Sequence, residues 1–397
     1  MKLSHRISTI KPSPTLAITM KANALKAQGR DIIGFGAGEP DFDTPDNIKR
    51  AAVKAIEDGF TKYTPVGGTD ELKDAIIGKL NRDNGLNYRR NEIVVSCGAK
   101  HTLYNLAQVL FEEGDEVIIP LPYWVSYVDI VVLTGARPVL VRTTEENDFK
   151  MLPGQLQAAI TPRTKAVVLN SPGNPTGTAY SRAEIESLAE VLAKTDILVI
   201  SDDIYEKILY DHAEFFSIAA FSDDLKKRTV VVNGVSKAYA MTGWRIGYAA
   251  GPEEIIGAVN KLQSQNTSNP TSIAQKASVE ALNGDQAMVG RMVAEFEKRR
   301  NVVVDALNDI PGIHCRNPRG AFYAFPNIAG LFGRSWGGKR IDSSSALADY
   351  LLDAADVAVV PGADFGDDRY MRLSYATSLG LIEEGMKRIK AAVERLG

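Results

Sequence analysis

From residue 92 to residue 236, short apolar runs rich in β-branched residues alternate with amphipathic stretches of helical period. The apolar runs predict strands over 92–96, 116–120, 166–170, 197–201 and 230–232. Each run is followed by a polar or glycine-containing turn, and most of these turns lead into a predicted helix. Strands that alternate with helices predict an α/β fold, in which a mostly parallel central sheet is covered by helices on both faces.

Two of the predicted helices have recognisable starts. Thr44 is expected to cap a helix over 45–58, which has proline in its first turn and glycine just after its end. Ser181 and Glu184 have the spacing of a capping box, in which each side chain accepts a hydrogen bond from the other residue's backbone N–H.

After Gly284 the pattern changes to one typical of an α+β unit. It predicts a long helix over 286–308, short strands over 357–360 and 372–375, and a final amphipathic helix. A further strand is predicted over 320–325, where alternation of side chains is expected to bury one face only.

The length of the chain favours two domains, because 397 residues exceed what one hydrophobic core usually holds. The predicted division has three parts. Residues 1–44 form an N-terminal arm and part of the small domain, residues 45–290 form the large domain, and residues 291–397 form the small C-terminal domain.

Composition excludes several classes of partner and site. The net charge of −3 argues against nucleic acid and against an anionic membrane surface as partners. The two cysteines, Cys97 and Cys315, lie too far apart in sequence to indicate a disulfide framework or a thiolate metal site, and the four histidines are isolated. Neither a signal peptide nor a membrane-spanning run is indicated. We therefore expect a cytoplasmic enzyme without a metal.

The stretch over 229–247 contains the strongest candidate for chemistry. An apolar strand ends at an Asn-Gly turn, which is followed by Lys237 and, eight residues later, by Arg245. Two surface cations beside a turn are the simpler interpretation. However, small and apolar residues surround Lys237, and burial lowers the pKa of a lysine and makes its neutral amine nucleophilic. Lys237 therefore suits the formation of a Schiff base.

Six residues that could bind a ligand or take part in a reaction directly follow predicted strands. In parallel sheets the ligand lies beyond the carboxyl ends of the strands, so these residues are expected to converge on one site. They are Gly98, Trp124, Asn174, Asp202, Tyr205 and Lys237.

These six residues and Arg245 can be arranged around pyridoxal phosphate (PLP). Asp202 is the candidate carboxylate for the pyridine nitrogen, and Tyr205 together with Asn174 is the candidate donor to the phenolate oxygen of the ring. Trp124 offers a flat face to the ring. These residues could instead have structural roles. Asp202 or Asp203 could cap the next helical turn, and Trp124 could be a core residue.

The phosphate of PLP is expected at the start of a helix. Backbone N–H groups at Gly98 and Ala99 and the guanidinium of Arg245 are the candidate donors. Arg245 could instead be a surface cation, but its apolar neighbours would make an unpaired charge costly.

Seven motifs distributed over almost the whole chain are similar to those of a known family. They are 38–42 (Gly-Glu-Pro-Asp-Phe), 63–65 (Tyr-Thr-Pro), 122–127 (Pro-Tyr-Trp-Val-Ser-Tyr), 174–177 (Asn-Pro-Thr-Gly), 202–206 (Asp-Asp-Ile-Tyr-Glu), 236–245 (Ser-Lys-Ala-Tyr-Ala-Met-Thr-Gly-Trp-Arg) and 372–375 (Arg-Leu-Ser-Tyr). With these motifs the chain resembles the class I PLP-dependent aminotransferases, specifically their prokaryotic subgroup Ib.

The resemblance implies a fold, an assembly and a set of site residues. The fold is PLP fold type I, and the assembly is a homodimer with active sites at the subunit interface. Catalysis is assigned to Lys237, which holds the cofactor as an internal aldimine, with Tyr205 and Asp202. The cofactor-binding residues are Tyr63 of the neighbouring subunit, Gly98, Ala99, Lys100, Trp124, Asn174, Asp202, Tyr205, Ser236, Lys237 and Arg245.

The resemblance also implies how substrates bind. Arg372 is expected to hold the α-carboxylate, assisted by the Gly38 backbone and Asn174, with Trp124 at the substrate as well. Lys100 is expected to hold the distal carboxylate of a dicarboxylic substrate, with help from Ser13 and Thr15. The expected reaction is ping-pong transfer of an amino group from L-aspartate to 2-oxoglutarate, with small amino acids and 2-oxo acids as the partners.

Three departures from the family pattern affect these expectations. Ala99 stands where glycine is frequent, and the backbone donors should remain. Gly234 stands where a phosphate-binding serine is common, so Ser236 is the replacement candidate. The segment 264–269 replaces an arginine that other subgroups use for the distal carboxylate.

Other functions remain open at this level. Trp124, Tyr239 and Phe322 would tolerate a ring, which allows an aromatic or prephenate aminotransferase. A carbon–sulfur lyase or an acyltransferase of the same fold would share the lysine and the aspartate. A PLP-sensing transcription regulator is disfavoured, because the motifs begin near residue 34 and no basic stripe for DNA is present.

Overall fold

The computed structural model describes residues 3–10, 12 and 14–397, without the side chains of residues 14–16 and 19. Its helices are α1 (Pro14–Ala27), α2 (Asp46–Glu57), α3 (Asp70–Asn84), α4 (Ala99–Leu110), α5 (Ser126–Val132), α6 (Pro153–Ala159), α7 (Arg182–Leu192), α8 (Asp223–Lys226), α9 (Glu253–Asn266), α10 (Ser272–Asn283), α11 (Ala287–Asn308), α12 (Ser344–Ala355) and α13 (Leu379–Glu394). Its strands are β1 (Ile33–Gly34), β2 (Ile93–Ser96), β3 (Glu116–Leu121), β4 (Arg137–Arg142), β5 (Thr164–Asn170), β6 (Leu198–Asp202), β7 (Thr229–Gly234), β8 (Gly247–Ala250), β9 (Tyr323–Ala324), β10 (Ser335–Trp336), β11 (Lys339–Arg340), β12 (Val357–Ala358), β13 (Val360–Pro361) and β14 (Met371–Ser374).

A seven-stranded sheet in the order β2-β8-β7-β6-β5-β3-β4 forms the centre of the described structure. Neighbouring strands from β7 to β4 are parallel, whereas β8 is antiparallel to both β2 and β7. The predicted parallel sheet, with helices between its strands, is therefore confirmed. Strands β4 and β8 were not predicted. The apolar run of the edge strand β4 is short and begins with a proline, and β8 is four residues long without a β-branched side chain.

The two faces of this sheet bury alternate side chains in different cores. Val168 and Ile200 pack with residues of α4, α5 and α9, whereas Val167 and Val199 pack with residues of α6 and α7. Both faces are thus covered, which explains why the strands are continuous apolar runs in the sequence. The parallel arrangement of these strands brings their carboxyl ends to one edge of the sheet.

The C-terminal part contains smaller sheets. Strands β13, β14 and β9 form an antiparallel sheet, and β1 pairs in parallel with β12, so the N-terminal residues join the C-terminal part. The expected one-faced strand over 320–325 is wrong. Only Tyr323–Ala324 pairs as a strand, and all residues from 320 to 325 are buried, because the core of this part surrounds them on both sides.

The expected capping role of Thr44 is also wrong. Helix α2 begins at Asp46, and Pro45 occupies the N-cap position without a side-chain cap. The Thr44 hydroxyl instead donates to the Ala240 carbonyl (2.7 Å) and accepts from the indole N–H of Trp244 (2.9 Å). The capping box of Ser181 and Glu184 at the start of α7 is confirmed.

Among the described residues, no helix combines the length and the apolar character that crossing a membrane requires.

Candidate active site

A cavity of about 420 Å³ lies at the carboxyl ends of the parallel strands. It brings together most of the residues that were predicted to form one site, although they come from loops far apart in sequence. The site residues predicted from the sequence that line this cavity are Gly38, Ala99, Lys100, Trp124, Asn174, Asp202, Tyr205, Ser236, Lys237, Arg245 and Arg372. The segments that follow β2, β3, β5, β6 and β7 each supply at least one of them, as expected for a sheet of this type.

Lys237 follows β7 by three residues and extends into the cavity. Its Nζ atom donates to the backbone carbonyl of Gly38 at 2.5 Å. Burial lowers the pKa of Lys237 to about 8; Glu39 and Asp202 oppose this shift, and two nearby arginines add to it. A substantial fraction of this amine is therefore neutral near pH 8, as a nucleophile and proton acceptor requires.

Asp202 is the last residue of β6 and is buried beside Lys237. The hydroxyl of Tyr127 donates to its Oδ2 at 2.6 Å, while Oδ1 is buried and has no partner among the described residues. Burial raises the pKa of Asp202 to about 6, and the bond from Tyr127, the backbone N–H of Ile204 and the charge of Lys237 all counteract this. Asp202 thus presents one free carboxylate oxygen to the cavity.

Tyr205 and Asn174 lie on neighbouring turns of the same wall. The Tyr205 hydroxyl is hydrogen-bonded to that of Tyr323 at 2.8 Å, and burial raises the pKa of Tyr205 well above its ordinary value. Tyr205 is therefore a neutral phenol with a proton to donate. The backbone of Asn174 is held by Asn170, whose Oδ1 accepts from the Asn174 N–H at 2.9 Å, and the Asn174 side chain accepts from Arg372.

The start of helix α4 and Arg245 form an anion-binding corner. Gly98 precedes the helix with φ +92°, and a Cβ at this position would lie 2.3 Å from Nη2 of Arg245. The guanidinium is held by the carbonyls of Thr242 (2.8 Å) and Cys97 (3.2 Å). The backbone N–H of Gly98 donates to the Ser96 carbonyl (2.7 Å), contrary to its predicted role as a phosphate donor, which leaves the N–H groups of the first helical residues, Ala99 and Lys100. N–H groups at a helix start and a guanidinium together favour a phosphate or carboxylate.

Arg372 on β14 is a deeply buried cation without an acidic partner. Only 1% of the residue is exposed, and its nitrogens donate to the Gly36 carbonyl (2.7 Å) and to Oδ1 of Asn174 (3.0 Å). Its Nε has no partner, and no ion pair among the described residues includes Arg372. A buried guanidinium that lacks a counter-ion costs stability unless a ligand supplies one.

A second cation, Lys100, lines the same cavity from the first turn of α4. Its Nζ lies 4.9 Å from the centre of the Trp124 ring. Burial and the charge of Arg245 lower the pKa of Lys100, and Asp129 opposes the shift. Trp124 thus contacts both Lys100 and the ring of Tyr127, whose centre is 5.2 Å away.

Two predicted site residues, Gly98 and Tyr63, do not line this cavity. Gly98 lies behind it, against Arg245, and Tyr63 is 91% exposed at the surface of its own subunit. Ser13 lies outside the described residues, and the side chain of Thr15 is likewise not described. The predicted roles of Tyr63, Ser13 and Thr15 therefore stay predictions.

Steric crowding explains why position 234 is a glycine and not a serine. A Cβ there would lie 2.9 Å from the Ile246 carbonyl and 3.1 Å from the Cα of Gly247, so a serine would displace strand β8. Ser236, two residues later, lines the cavity instead.

Sequence reasoning did not assign roles to several residues that shape the site. Asn170, at the end of β5, satisfies the same rule that identified the other turn residues and could have been found by it. Tyr127 lies within a quoted motif, but nothing local shows that its hydroxyl reaches Asp202, 75 residues away. Tyr323 and the carbonyl of Gly36 come from distant segments and carry no local signal.

Comparison with known proteins gives consistent results along the whole chain. The family model described as aminotransferase class I and II matches residues 30–389. The aspartate/prephenate aminotransferase of Nitrosomonas europaea is 54% identical over 392 residues, which are 98% of this chain and 99% of that protein. The aspartate aminotransferase of Bacillus subtilis is 53% identical over 395 residues and is covered completely, as is this chain.

Solved structures of similar proteins have the same fold. An aspartate aminotransferase from Rhizobium meliloti superimposes with a TM-score of 0.97 at 50% identity, covering 100% of both chains. An aspartate aminotransferase from Thermus thermophilus with maleate superimposes with a TM-score of 0.93 at 41% identity, covering 99% of this chain and 100% of the other. The expected fold type I architecture is confirmed, and the chain belongs to the class I and II aminotransferases.

Proposed function

We propose that this aminotransferase uses PLP bound through Lys237 and transfers an amino group from L-aspartate to 2-oxoglutarate. The observation that carries the proposal is Arg372, a buried guanidinium that forms no ion pair with any described residue and lies in the same cavity as Lys237, whose pKa is lowered to about 8. An amino acid would supply the missing carboxylate and would bring its α-carbon to the cavity that contains the lysine.

The residues present fit PLP. Its pyridine nitrogen needs a buried anionic acceptor, and Oδ1 of Asp202 is buried and unpartnered. Its phenolate oxygen needs donors, which Tyr205 and Asn174 can supply. Its phosphate needs N–H groups and a cation, and the corner of α4 and Arg245 has both. When bound, PLP supplies an electron sink for charge that develops at the substrate α-carbon.

Proton transfer, protonation of the cofactor and orientation of the substrate would then be performed by different residues of this chain. Lys237 would take and return the proton at the substrate α-carbon, because its pKa of about 8 suits both directions near neutral pH. Asp202 would hold a proton at the pyridine nitrogen. Arg372 would orient the α-carboxylate with two N–H donors of its guanidinium, and the ring of Trp124 would restrict the site to a flat cofactor.

Two cations in one cavity support a dicarboxylic substrate. Arg372 would hold the α-carboxylate and Lys100 the distal one, with Ser13 and Thr15 as proposed helpers of Lys100. Maleate, which was present in the Thermus thermophilus structure, is a four-carbon dicarboxylate like aspartate. Relatives named aspartate aminotransferase add support.

Prephenate is the second candidate acceptor. One relative is named aspartate/prephenate aminotransferase, and prephenate also carries two carboxylates for the two cations. The rings of Trp124 and Tyr323 line the cavity and would accept its ring. A carbon–sulfur lyase would not need the second cation, Lys100.

We also propose a homodimer, a cytoplasmic location and the three-part domain division over 1–44, 45–290 and 291–397. The exposed Tyr63 supports the dimer, because its phenol lies outside its own cavity and is available to a second subunit. Both cysteines are free thiols, which supports a reducing compartment. Sedimentation of the purified protein, and PLP binding by a Tyr63→Phe variant, would test the dimer.

A panel of half-reactions tests the substrate. The PLP-loaded protein is mixed separately with L-aspartate, L-phenylalanine and L-alanine, and the cofactor absorption is followed from its aldehyde form to its amine form. We expect fast conversion with aspartate and slow conversion with alanine, which offers no distal carboxylate to Lys100. The recovered amine form is then mixed with 2-oxoglutarate or prephenate. Lack of conversion by aspartate would refute the substrate proposal.

A Lys237→Ala variant tests the site itself. Borohydride reduction followed by mass spectrometry should locate a covalent cofactor adduct on Lys237 in the unaltered protein and none in the variant. An adduct on another lysine would refute the assignment.

A further inference from the structure

We propose that Tyr127 is a positioning residue that holds the carboxylate of Asp202 in the orientation and ionisation state needed at the pyridine nitrogen. This inference rests on the proposed use of PLP and extends it to a residue without contact to the reacting atoms.

The geometry assigns the two oxygens of Asp202 to different tasks. Oδ2 accepts the Tyr127 hydroxyl at 2.6 Å, within the range of a bond to an ionised acceptor. Oδ1 is buried and free. A carboxylate that could rotate would exchange its two oxygens, so the bond from Tyr127 determines which oxygen faces the cavity.

Tyr127 has no other acceptor among the described residues. It is 5% exposed, and Asp202 is the sole partner of its hydroxyl in this part of the chain. Burial, increased by the neighbouring charge of Asp202, raises the pKa of Tyr127 well above its ordinary value, so the phenol keeps its proton. The proton therefore lies on Tyr127 and the negative charge on Asp202.

The place of Tyr127 on α5 links this bond to the cofactor face. Trp124 lies three residues earlier, and the two rings meet edge to face, 5.2 Å apart with an interplanar angle of 83°. One turn of chain thus carries the aromatic wall and the partner of the carboxylate. Movement of this turn would change both.

The other charged groups around Asp202 cannot replace Tyr127. Lys237 favours the ionised form through its charge, and the Ile204 backbone N–H contributes a bond, but burial still raises the pKa of Asp202 to about 6. Tyr205 and Asp203 are the remaining titratable neighbours of the Tyr127–Asp202 pair. Without the Tyr127 hydroxyl, Asp202 would compete with the pyridine nitrogen for the same proton.

Tyr127→Phe tests this inference, because it removes one oxygen and keeps the ring against Trp124. Three quantities are measured: the dissociation constant of PLP from the apoprotein, the pH titration of the cofactor absorption, and the half-reaction rate with aspartate. We expect PLP affinity and half-reaction rate each to fall about 10- to 100-fold, the effect of losing a hydrogen bond to a charged group. Tyr123→Phe, in the same segment, should change neither.

A double-mutant cycle separates positioning from a merely structural role. In an Asp202→Asn background the carboxylate is absent, so Tyr127→Phe should change PLP affinity less than threefold. An undiminished effect in that background, or equal behaviour of Tyr127→Phe and the unaltered protein, would overturn the inference. If Tyr127→Phe does not fold, a 3-fluorotyrosine introduced at position 127 keeps the donor and strengthens it; an unchanged cofactor titration would then overturn the inference.

The two levels of the proposal fail differently. If the unaltered protein neither binds PLP nor reacts with aspartate, the proposed function fails. If it does both and Tyr127→Phe is indistinguishable from it, only the role of Tyr127 fails.

Discussion

Asp202 and Asp203 are consecutive buried carboxylates in two different regions. Asp202 faces the cavity, where Tyr127 occupies one of its oxygens and the other is free. Asp203 lies on the opposite face, since it accepts from Ser201 two residues earlier at 2.6 Å. Burial raises the pKa of Asp202 to about 6 and that of Asp203 well above its ordinary value.

The region around Asp203 is a closed polar cluster behind the cavity. Lys79 forms a buried ion pair with Glu206, and Asn84 accepts from Lys79 (2.7 Å) and donates to Glu206 (2.8 Å). The charge of this lysine is thus already matched. Glu206 raises the pKa of Asp203 further, and no described group donates to its Oδ2.

The difference shows that burial alone does not decide the state of a carboxylate. Each carboxylate accepts a hydrogen bond from a hydroxyl and has a lysine nearby that favours the ion, but Asp203 also has the negative charges of Glu206 and Asp202 beside it, which favour the acid. The cavity contains the cations Arg372 and Lys100, which are available to ligands. In the cluster behind it, Lys79 and Glu206 pair with each other. The same two side chains therefore serve different purposes.

The largest expected effect comes from Asp202→Asn. Because an amide cannot hold a proton at the pyridine nitrogen, we expect the half-reaction with aspartate to slow about 10²- to 10⁴-fold, the range of a lost acid–base function. Rapid-mixing absorption measurements check this, and an unchanged melting temperature verifies the fold. A loss of less than tenfold would contradict the assigned role of Asp202.

Lys79→Met should act on stability and not on chemistry. It leaves Glu206 as a buried unpaired charge, which costs about 3–5 kcal/mol of unfolding free energy. Urea denaturation measures this loss. The matched control is Lys54→Met, in an exposed pair with Asp58, which should leave the denaturation midpoint unchanged. Equal midpoints for both variants would show that the cluster does not stabilise the fold.

The third prediction concerns pH. The pKa of Lys237 in the cofactor-free protein is about 8, and only the neutral amine attacks an aldehyde. The rate of PLP attachment should therefore rise about tenfold per pH unit below pH 8 and level off above it. Asp202→Asn should move the midpoint to lower pH, because the carboxylate favours the protonated amine, while Asp203→Asn should not. Stopped-flow absorption measures the rates; a midpoint near pH 10.5 would contradict the burial of Lys237.

The smallest effect is expected from Asp203→Asn. If Asp203 is already a neutral acid, the amide resembles it in shape and charge, so the half-reaction rate should change less than about threefold. Rapid mixing with aspartate compares this variant with Asp202→Asn. A loss of tenfold or more would show that Asp203 acts as an ion, and the comparison between the two carboxylates would fail.

The pattern of the chain was sufficient for most of the fold. Apolar β-branched runs predicted five of the seven central strands, because strands buried on both faces leave a continuous apolar signal. The other two strands leave a weaker signal, because the apolar run of the edge strand β4 begins with a proline and β8 has no β-branched residue. The failed cap at Thr44 has a non-local cause: the carbonyl of Ala240, 196 residues away, takes the hydroxyl that a helix start would have used.

The candidate site was likewise predicted in part. Turn residues after parallel strands converge by topology, so Lys237, Asp202, Tyr205 and Asn174 could be grouped without coordinates. The buried phenol of Tyr127 and the unpaired state of Arg372 could not, since both depend on side chains brought together from distant segments. The roles of Ser13, Thr15 and Tyr63 stay predictions.

By itself the sequence determined that two consecutive acidic residues, Asp202 and Asp203, directly follow a buried strand. Only the tertiary structure decided that Asp202 lines the cavity and that Asp203 lies in the closed cluster. The physical reason is that ionisation in a low-dielectric interior depends on donors and charges within a few ångströms. Those neighbours come from α3, α5 and the turn after β7, and no local pattern specifies how these elements meet.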